Sequence, residues 1–336
     1  EKMRILIMGG CGFLGSNLAS YGIKNGYDIT VVDNGSRVGS TDNKKWLDSL
    51  GNYEYISADI RDKDVINDLI KKGGYDGIFH LAGQVAMTTS IEDPYEDFRI
   101  NTMGILHTLE AVRNHSETTS VFFSSTNKVY GDLEQYSYRE SETRYICNEY
   151  ERGFDEQTPL SFHSPYGCSK GAADQYMLDY NRIYGLNTTV FRHSSMYGSH
   201  QYATSNQGWV GWFCQKAIET KKDEKSRYTI SGNGKQVRDV LHADDMINLY
   251  YSALENKEKV SGQVFNIGGG YEQSLSLVEL FNILEEELDV NLKYDMLPPR
   301  ISDQKVFIAD IKKISNTIGW KPKVSAKKGI REMIEW

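Results

Sequence analysis

Short runs of apolar and β-branched residues alternate with longer mixed segments through the first half of the chain. Arg4-Ile-Leu-Ile-Met8 is apolar at every position after its first, the pattern of a strand covered on both faces rather than wet on one. Comparable runs predict strands over Met3 to Met8, Ile29 to Asp33, Tyr53 to Ser57, Gly77 to Leu81, Ser120 to Ser125 and Thr188 to Arg192. Each is followed by a helical stretch, a turn, or both, which is the signature of βαβ units. The fold class expected is α/β, a Rossmann-type doubly wound parallel sheet with a smaller C-terminal substrate-binding lobe. After Gly198 the alternation gives way to the aromatic stretch Gly208-Trp-Val-Gly-Trp-Phe213 and the charged stretch Lys221 to Arg227, then returns over Val237 to Gly269. No fixed-period repeat and no low-complexity tract marks a linker. The division expected is a nucleotide-binding domain from 1–196 plus 237–269, and a substrate lobe from 197–236 plus 270–336.

Composition narrows the class. With 336 residues, 39% hydrophobic and 25% charged, the chain can bury a sizeable core and has the balance of a soluble globular protein. No run approaches the roughly 18 apolar residues of a membrane span. Met3-Arg-Ile5 enters a strand pattern without signal-peptide features, so cytoplasm is the compartment expected and no membrane partner is. Cys11, Cys147, Cys168 and Cys214 lie far apart with no metal-ligand spacing, so they read as free thiols and no metal site is expected. A net charge of -8 argues against a nucleic-acid partner, whereas a small anion needs only a few well-placed arginines.

Gly9-x-x-Gly12-x-x-Gly15 stands where the first strand ends and a helix begins. Glycines there permit a tight turn and close backbone approach to a pyrophosphate, while the helix N-terminus supplies N–H donors; a ligand-free Gly-rich turn has the same composition. Asp33 ends the second strand, 18 residues after Gly15, where a carboxylate can accept both hydroxyls of an adenosine ribose. That favours NAD over NADP, although Arg37 downstream suits the opposite preference. Asp59-Ile60 follows the third strand and either reaches an adenine edge or caps a helix.

Tyr166-x-x-x-Lys170 places a phenol and an amine on one helix face. A phenol with a pKa of about 10 is a poor base at neutral pH, and a neighbouring ammonium is expected to lower it. Tyr166 can then take the proton of a substrate hydroxyl as its carbon is oxidised. Such pairs also occur on ordinary helices. Phe122-Phe-Ser-Ser-Thr126 reads as a strand delivering hydroxyls at its C-terminal end, where ligands of open α/β sheets gather. Thr126 is placed to bond the reacting oxygen; Ser124 and Ser125 either join it or satisfy backbone groups.

Gly-x-x-Gly-x-x-Gly, Asp33, His80-Leu-Ala-Gly83, Asn101, Ser124-Ser-Thr126, Val129-Tyr-Gly131 and Tyr166-x-x-x-Lys170 stand in one order, and together they resemble the extended short-chain dehydrogenase/reductase superfamily. Gly83-Gln-Val-Ala-Met-Thr-Thr-Ser-Ile91, Ser124-Ser-Thr-Asn-Lys-Val-Tyr-Gly-Asp-Leu-Glu-Gln135, Phe162-His-Ser-Pro-Tyr-Gly-Cys-Ser-Lys-Gly-Ala-Ala-Asp174, Phe191-Arg-His-Ser-Ser-Met-Tyr-Gly198 and Gln207-Gly-Trp-Val-Gly-Trp-Phe213 are similar to its nucleotide-sugar 2-epimerases of the CDP-paratose to CDP-tyvelose type. The likeness runs almost end to end. It implies a homo-oligomer, a dimer or tetramer, acting in the biosynthesis of a lipopolysaccharide O-antigen sugar. It implies catalysis by Thr126, Tyr166 and Lys170, and NAD held by Gly9, Gly12, Phe13, Leu14, Gly15, Asp33, Asn34, Ser36, Arg37, Asp59, Ile60, Leu81, Ala82, Gly83, Asn101, Ser124, Tyr166, Lys170 and His193. As an isolated residue His193 also suits a packed core. A CDP-sugar is implied at Gln84, Thr126, Asn127, Ser195, Gln207, Arg238, Arg300 and Asp303, with the two arginines clamping the diphosphate; surface ion pairs of Arg238 with Asp239 and of Arg300 with Asp303 are the plainer alternative.

Departures from relatives direct the chemistry. A 4,6-dehydratase carries an acid pair after the threonine to expel water, and Asn127 and Lys128 supply no carboxylic acid there. Val85 and Ser195 stand where many 4-epimerases have lysine and asparagine. These departures disfavour dehydration and weaken a 4-epimerase; the resemblance implies a C2 epimerase, with another nucleotide-sugar epimerase, a ketoreductase, or a non-catalytic dinucleotide sensor as rivals. Residues 132–164 are expected to form either a sugar-selecting lid or a solvated excursion. Trp209, Trp212 and Phe213 either stack on a base or fill a core.

Overall fold

The computed structural model describes residues 2–83, 87–201, 208–300 and 303–335. Seven strands form one parallel sheet: β1 (Arg4–Met8), β2 (Asp28–Asp33), β3 (Glu54–Ser57), β4 (Gly77–His80), β5 (Ser120–Thr126), β6 (Thr188–His193) and β7 (Gln263–Ile267). Their order is β7-β6-β5-β4-β1-β2-β3. Chain direction across the sheet therefore reverses between β1 and β4, and the crevice at the carboxyl ends of those strands is where open α/β sheets bind ligands.

The apolar strands face two cores. Ile5, Ile7, Val31, Phe79, Phe122 and Phe191 pack on one side with Leu18, Leu249 and Tyr250. Leu6, Met8, Val32, Ile78, Phe123 and Val190 pack on the other with Ile66, Leu109 and Met177. Because side chains alternate across a strand, covering both faces requires an uninterrupted apolar run, which is what the sequence carries.

The segment after Gly198 divides differently from its hydropathy. Of the strands in the returning stretch, only β7 joins the large sheet; Val237–His242 lies in a small sheet between Ser274–Ser276 and Val306–Phe307 and also pairs with Ser195–Tyr197. The helix Ala243–Glu255 then leads back to the large sheet, where the Tyr251 hydroxyl donates to the Leu18 carbonyl at 2.7 Å. Hydrophobicity alone does not distinguish these neighbours, since both strands are buried.

Residues 132–164 are no solvated excursion. The hairpin Tyr138–Glu140/Tyr145–Cys147 and Phe154 close over a core of Tyr130, Leu133, Val237 and Phe307. Arg144 fastens the hairpin through Glu279 at 2.6 Å and Ser274 at 2.9 Å. The aromatic stripe follows its core alternative. In the helix Trp209–Lys222, Phe213 is buried with Val210, Tyr228, Leu280 and Phe281, and Trp209 and Trp212 pack against that cluster. Phe213→Ala is accordingly expected to cost about 3–5 kcal/mol in urea unfolding without changing cytidine nucleotide affinity. A selective loss of affinity would restore the stacking role.

Candidate active site

The first turn after β1 is shaped by what cannot fit there. Gly9 has φ +87°, and a Cβ on it would lie 2.8 Å from the Ala82 nitrogen. A Cβ on Gly15 would come within 2.1 Å of the Gly9 carbonyl, so the helix α1 (Phe13–Lys24) lies directly on the turn only because Gly15 has none. No side chain caps α1 at Gly12, and no acidic residue stands in its first turn. The leading N–H groups and the positive end of the helix dipole thus point, without an internal anion, into the crevice. Phe13 and Leu14 begin the helix, and Leu14 anchors it in the core.

Asp33 ties this turn to β2: its Oδ2 accepts from the Cys11 N–H at 2.9 Å and its Oδ1 from the Gly35 N–H at 2.7 Å. A cavity of about 230 Å³ opens beside it, lined by Gly9, Asp33, Asn34, Ser36, Arg37, Asp59, Ile60, Ala82 and Gly83 among others. Nine residues expected to hold a dinucleotide thus border one space. Leu81 fixes the next rim by donating to the Met8 carbonyl at 3.0 Å. Asp59 pairs with Arg61, which also reaches Glu96, and the next helix is capped by Asp62 rather than Asp59. Arg37 extends to the Gly83 carbonyl and lies within electrostatic reach of both Asp33 and Tyr166.

Thr126, Tyr166 and Lys170 converge where β5 ends. Tyr166 and Lys170 lie in the helix α2 (Ser164–Tyr184), and the Thr126 hydroxyl is close enough to the Tyr166 phenol to act on its charge. The electrostatics correct the sequence expectation. Burial pushes the phenol up to about 12, against the Thr126 hydroxyl and the charge of Arg37, while Asp97 raises it further. Lys170 turns its ammonium to the Ser124 carbonyl at 2.6 Å, and burial, aided by Arg37, brings it down to about 7. Both groups are too deprived of water to keep the ordinary balance of charge. Within this protein, Arg37 and Thr126 are what oppose the rise of the phenol.

Other predicted residues take definite places. Asn101 sits in the π-helical turn Arg99–Met103, which aims its Nδ2 at Asp97 at 3.1 Å and Ser169 at 3.0 Å; irregular turns of this kind gather at functional sites. Ser124 contributes its carbonyl to Lys170. His193 packs as a core histidine, its Nε2 2.7 Å from the Tyr250 hydroxyl, and burial lowers its pKa to about 3, so it is neutral. Ser195 accepts from the Trp209 indole at 3.0 Å. Gln84, Val85 and Gln207 lie outside the described residues.

Sequence reasoning missed a buried network beneath the reactive pair. Asp174 receives both Arg192 Nε and Nη2 at 2.8 Å and Ser125 Oγ at 2.7 Å. Arg192 continues to the Tyr130 hydroxyl at 3.1 Å, which donates to Asn266 at 2.6 Å. Two signals were available: Asp174 stands two turns beyond Tyr166 on its face of the helix, and Arg192 interrupts an apolar strand that buries every residue.

On the far side of Thr126, Asn127 donates to Gln304 at 2.6 Å, and Gln304 donates to the Gly131 carbonyl at 2.7 Å. Arg238 pairs with Asp303 at 2.9 Å rather than with Asp239, which is buried and accepts from the Gly270 N–H at 3.0 Å. Lys128 lies 4.0 Å from the same Asp303 oxygen and within the electrostatic reach of Arg300.

A family model described as GDP-mannose 4,6 dehydratase matches residues 6–333. This chain belongs to that family of extended short-chain dehydrogenases/reductases. It is 62% identical over 334 residues to CDP-paratose 2-epimerase of Salmonella typhi, covering 99% of both chains. The UDP-glucose 4-epimerase of Thermotoga maritima, solved with UDP-glucose, superposes with a TM-score of 0.83 at 30% identity, over 99% of this chain and 98% of that one. The dTDP-glucose 4,6-dehydratase of Bacillus anthracis, solved with NAD, has a TM-score of 0.81 at 26% identity, over 99% and 96%.

Breaking the network from one side strands a charge. Arg192→Met is expected to destabilise the protein by about 3–5 kcal/mol in urea unfolding, because Asp174 keeps its burial and loses its partner. The double variant Asp174→Asn, Arg192→Met should lose less than that. A single variant as stable as the parent would show that the pair does not hold the helix.

Proposed function

We propose that this protein is an NAD-dependent epimerase that inverts C2 of a CDP-linked sugar, in the direction CDP-paratose to CDP-tyvelose and its reverse. The observation that carries the chemistry is the convergence of Thr126, Tyr166 and Lys170 at the carboxyl edge of a sheet whose neighbouring turn is glycine-built, with no carboxylic acid in the two positions after Thr126. Full-length identity to a CDP-paratose 2-epimerase supports C2 and the cytidine nucleotide.

The residues present fit a dinucleotide. The Gly9 and Gly15 approach, the uncapped start of α1, and Asp33 beside the cavity supply a pyrophosphate cradle and a ribose acceptor. Bound there, NAD supplies a hydride acceptor for the carbon being oxidised and a positive ring that favours the phenolate. The protein's own part is proton handling and positioning. Tyr166, linked to Thr126, takes the C2 hydroxyl proton as a 2-keto sugar forms and returns it afterwards. Thr126 holds the reacting oxygen. Lys170, bonded to the Ser124 carbonyl at 2.6 Å, holds the end of β5 against the helix that carries Tyr166. Arg238 and Arg300 hold the diphosphate while the sugar turns its other face, so that binding energy in a remote part retains the intermediate.

Exposed apolar side chains on α2, Tyr176, Ile183 and Tyr184, support self-association into a homo-oligomer, which sedimentation analysis would show as a species of at least twice the chain mass. No described helix is long and apolar enough to cross a membrane. A cytoplasmic role in making an O-antigen sugar is consistent with a nucleotide-linked substrate.

NMR of products from a panel of CDP- and UDP-sugars tests the reading. Inversion confined to C2 of a CDP-sugar is expected; inversion at C4 of a UDP-sugar would replace the reading with a 4-epimerase. Tyr166→Phe should retain bound NAD while kcat falls by about 100-fold or more. Near-parental turnover would remove Tyr166 from proton transfer.

A further inference from the structure

We infer that Lys128 is a substrate-binding residue whose ammonium pairs with the sugar-linked phosphate of the nucleotide-sugar, the anion that reaction at C2 brings up against Thr126. The inference rests on the proposed C2 chemistry and adds a residue that neither the glycine-rich site nor the arginine clamp accounts for.

Lys128 lies two positions beyond Thr126 in the turn Asn127–Tyr130, and its backbone N–H donates to Thr126 Oγ1 at 3.1 Å. The same turn therefore places the reactive hydroxyl and the origin of the lysine side chain. Its carbonyl lies against Gly167, next to Tyr166, so the turn is also seated on the catalytic helix. The Lys128 side chain is only 21% exposed. Its Nζ and the Arg238 guanidinium face one oxygen of Asp303, at 4.0 and 2.9 Å, with Arg300 near. Two largely buried cations, Lys128 and Arg238, thus share one oxygen of Asp303, and the other nearby carboxylate, Asp132, is itself engaged by His163 at 3.1 Å. Asp303 Oδ1 is shared, with Arg238 at 2.9 Å and Lys128 only at 4.0 Å, so the Lys128 ammonium, largely away from water, has donors left for an anionic ligand.

The geometry of a sugar nucleotide says which anion. The diphosphate is attached at C1. When C2 is the carbon at Tyr166, its neighbour C1 and the phosphate on it stand beside Thr126. When C4 reacts instead, the phosphate lies across the ring, and a cation next to Thr126 meets only hydroxyl or carbon substituents. A lysine there suits C2 oxidation; the acid that dehydration needs at this place would repel the phosphate.

Calorimetric titration of the NAD-loaded enzyme with CDP and with CMP isolates this contact, since only CDP carries the outer phosphate. Lys128→Met should lower CDP affinity at least about 10-fold while CMP affinity changes less than about 2-fold, and Lys128→Arg should restore most of the difference. Burial and the neighbouring Arg238 lower the Lys128 pKa to about 8, partly opposed by Asp303 and Asp132. The ammonium is the binding form, so parental CDP affinity should hold below that pH and fall above it, with a smaller fall in Lys128→Met. Equal losses for CDP and CMP, or none for either, would overturn the assignment. Product stereochemistry of the parent enzyme is read alongside: failure to invert C2 would remove the functional reading itself, whereas C2 inversion with an unaltered CDP preference in Lys128→Met would remove Lys128 alone.

Discussion

Asp174 and Arg192 meet in two hydrogen bonds of 2.8 Å with both side chains sealed from solvent, and the placement of the reactive groups follows from that contact. Asp174 belongs to α2, which also carries Tyr166 and Lys170; Arg192 belongs to β6, adjacent to β5 and Thr126. Ser125 adds a third anchor from β5 itself. A helix packed on a sheet by apolar contacts alone can slide with little loss. A bidentate buried pair permits one register, because any other leaves a charge without its partner. The same network runs through Tyr130 and Asn266 to the Phe154 carbonyl, so the hairpin region and the β7 edge are fixed to the same point.

Above that foundation the site keeps its groups in electrically reluctant states. The phenol is raised, the lysine is lowered, and Arg37 lies near both. Desolvation explains these directions, and it makes every added charge count for more than it would in water. A positive nicotinamide ring bound beside Tyr166 would therefore act on it more strongly than beside an exposed phenol. With no cofactor charge nearby, the phenol stays protonated at neutral pH. Lys128, on the opposite side of Thr126, is a second cation lowered by burial and adds a point of contact for the substrate's charge.

Much of this was legible in the chain. Continuous apolar runs announced strands with two covered faces, and six predicted strands agree with the observed ones to within a residue or two at each end. Gly9, Gly15 and Asp33 carried their own physical reasons, since each occupies a position where another residue type fails. What stayed hidden was non-local. Val237–His242 and Gln263–Ile267 look alike as apolar runs, and only pairing partners far away in sequence assign them to different sheets. The ion-pair alternative for Arg238 named the wrong carboxylate for the same reason: Asp239 is adjacent in the chain but buried on the Gly270 N–H, while Asp303 comes from a distant segment. The effect of Lys170 on Tyr166 was overdrawn because helical spacing specifies a shared face and says nothing of burial, which dominates both pKa values.

The central claim is that the C2 carbon of a CDP-sugar is oxidised and re-reduced within one bound complex, with Tyr166 exchanging only the hydroxyl proton. Its most direct test is CDP-paratose carrying deuterium at C2, incubated with the enzyme in ordinary water and followed by NMR and mass spectrometry. The account predicts CDP-tyvelose with the deuterium still on C2 and a slowed rate. Loss of the label to solvent, at a rate matching inversion, would mean that C2 is deprotonated rather than oxidised and would contradict it.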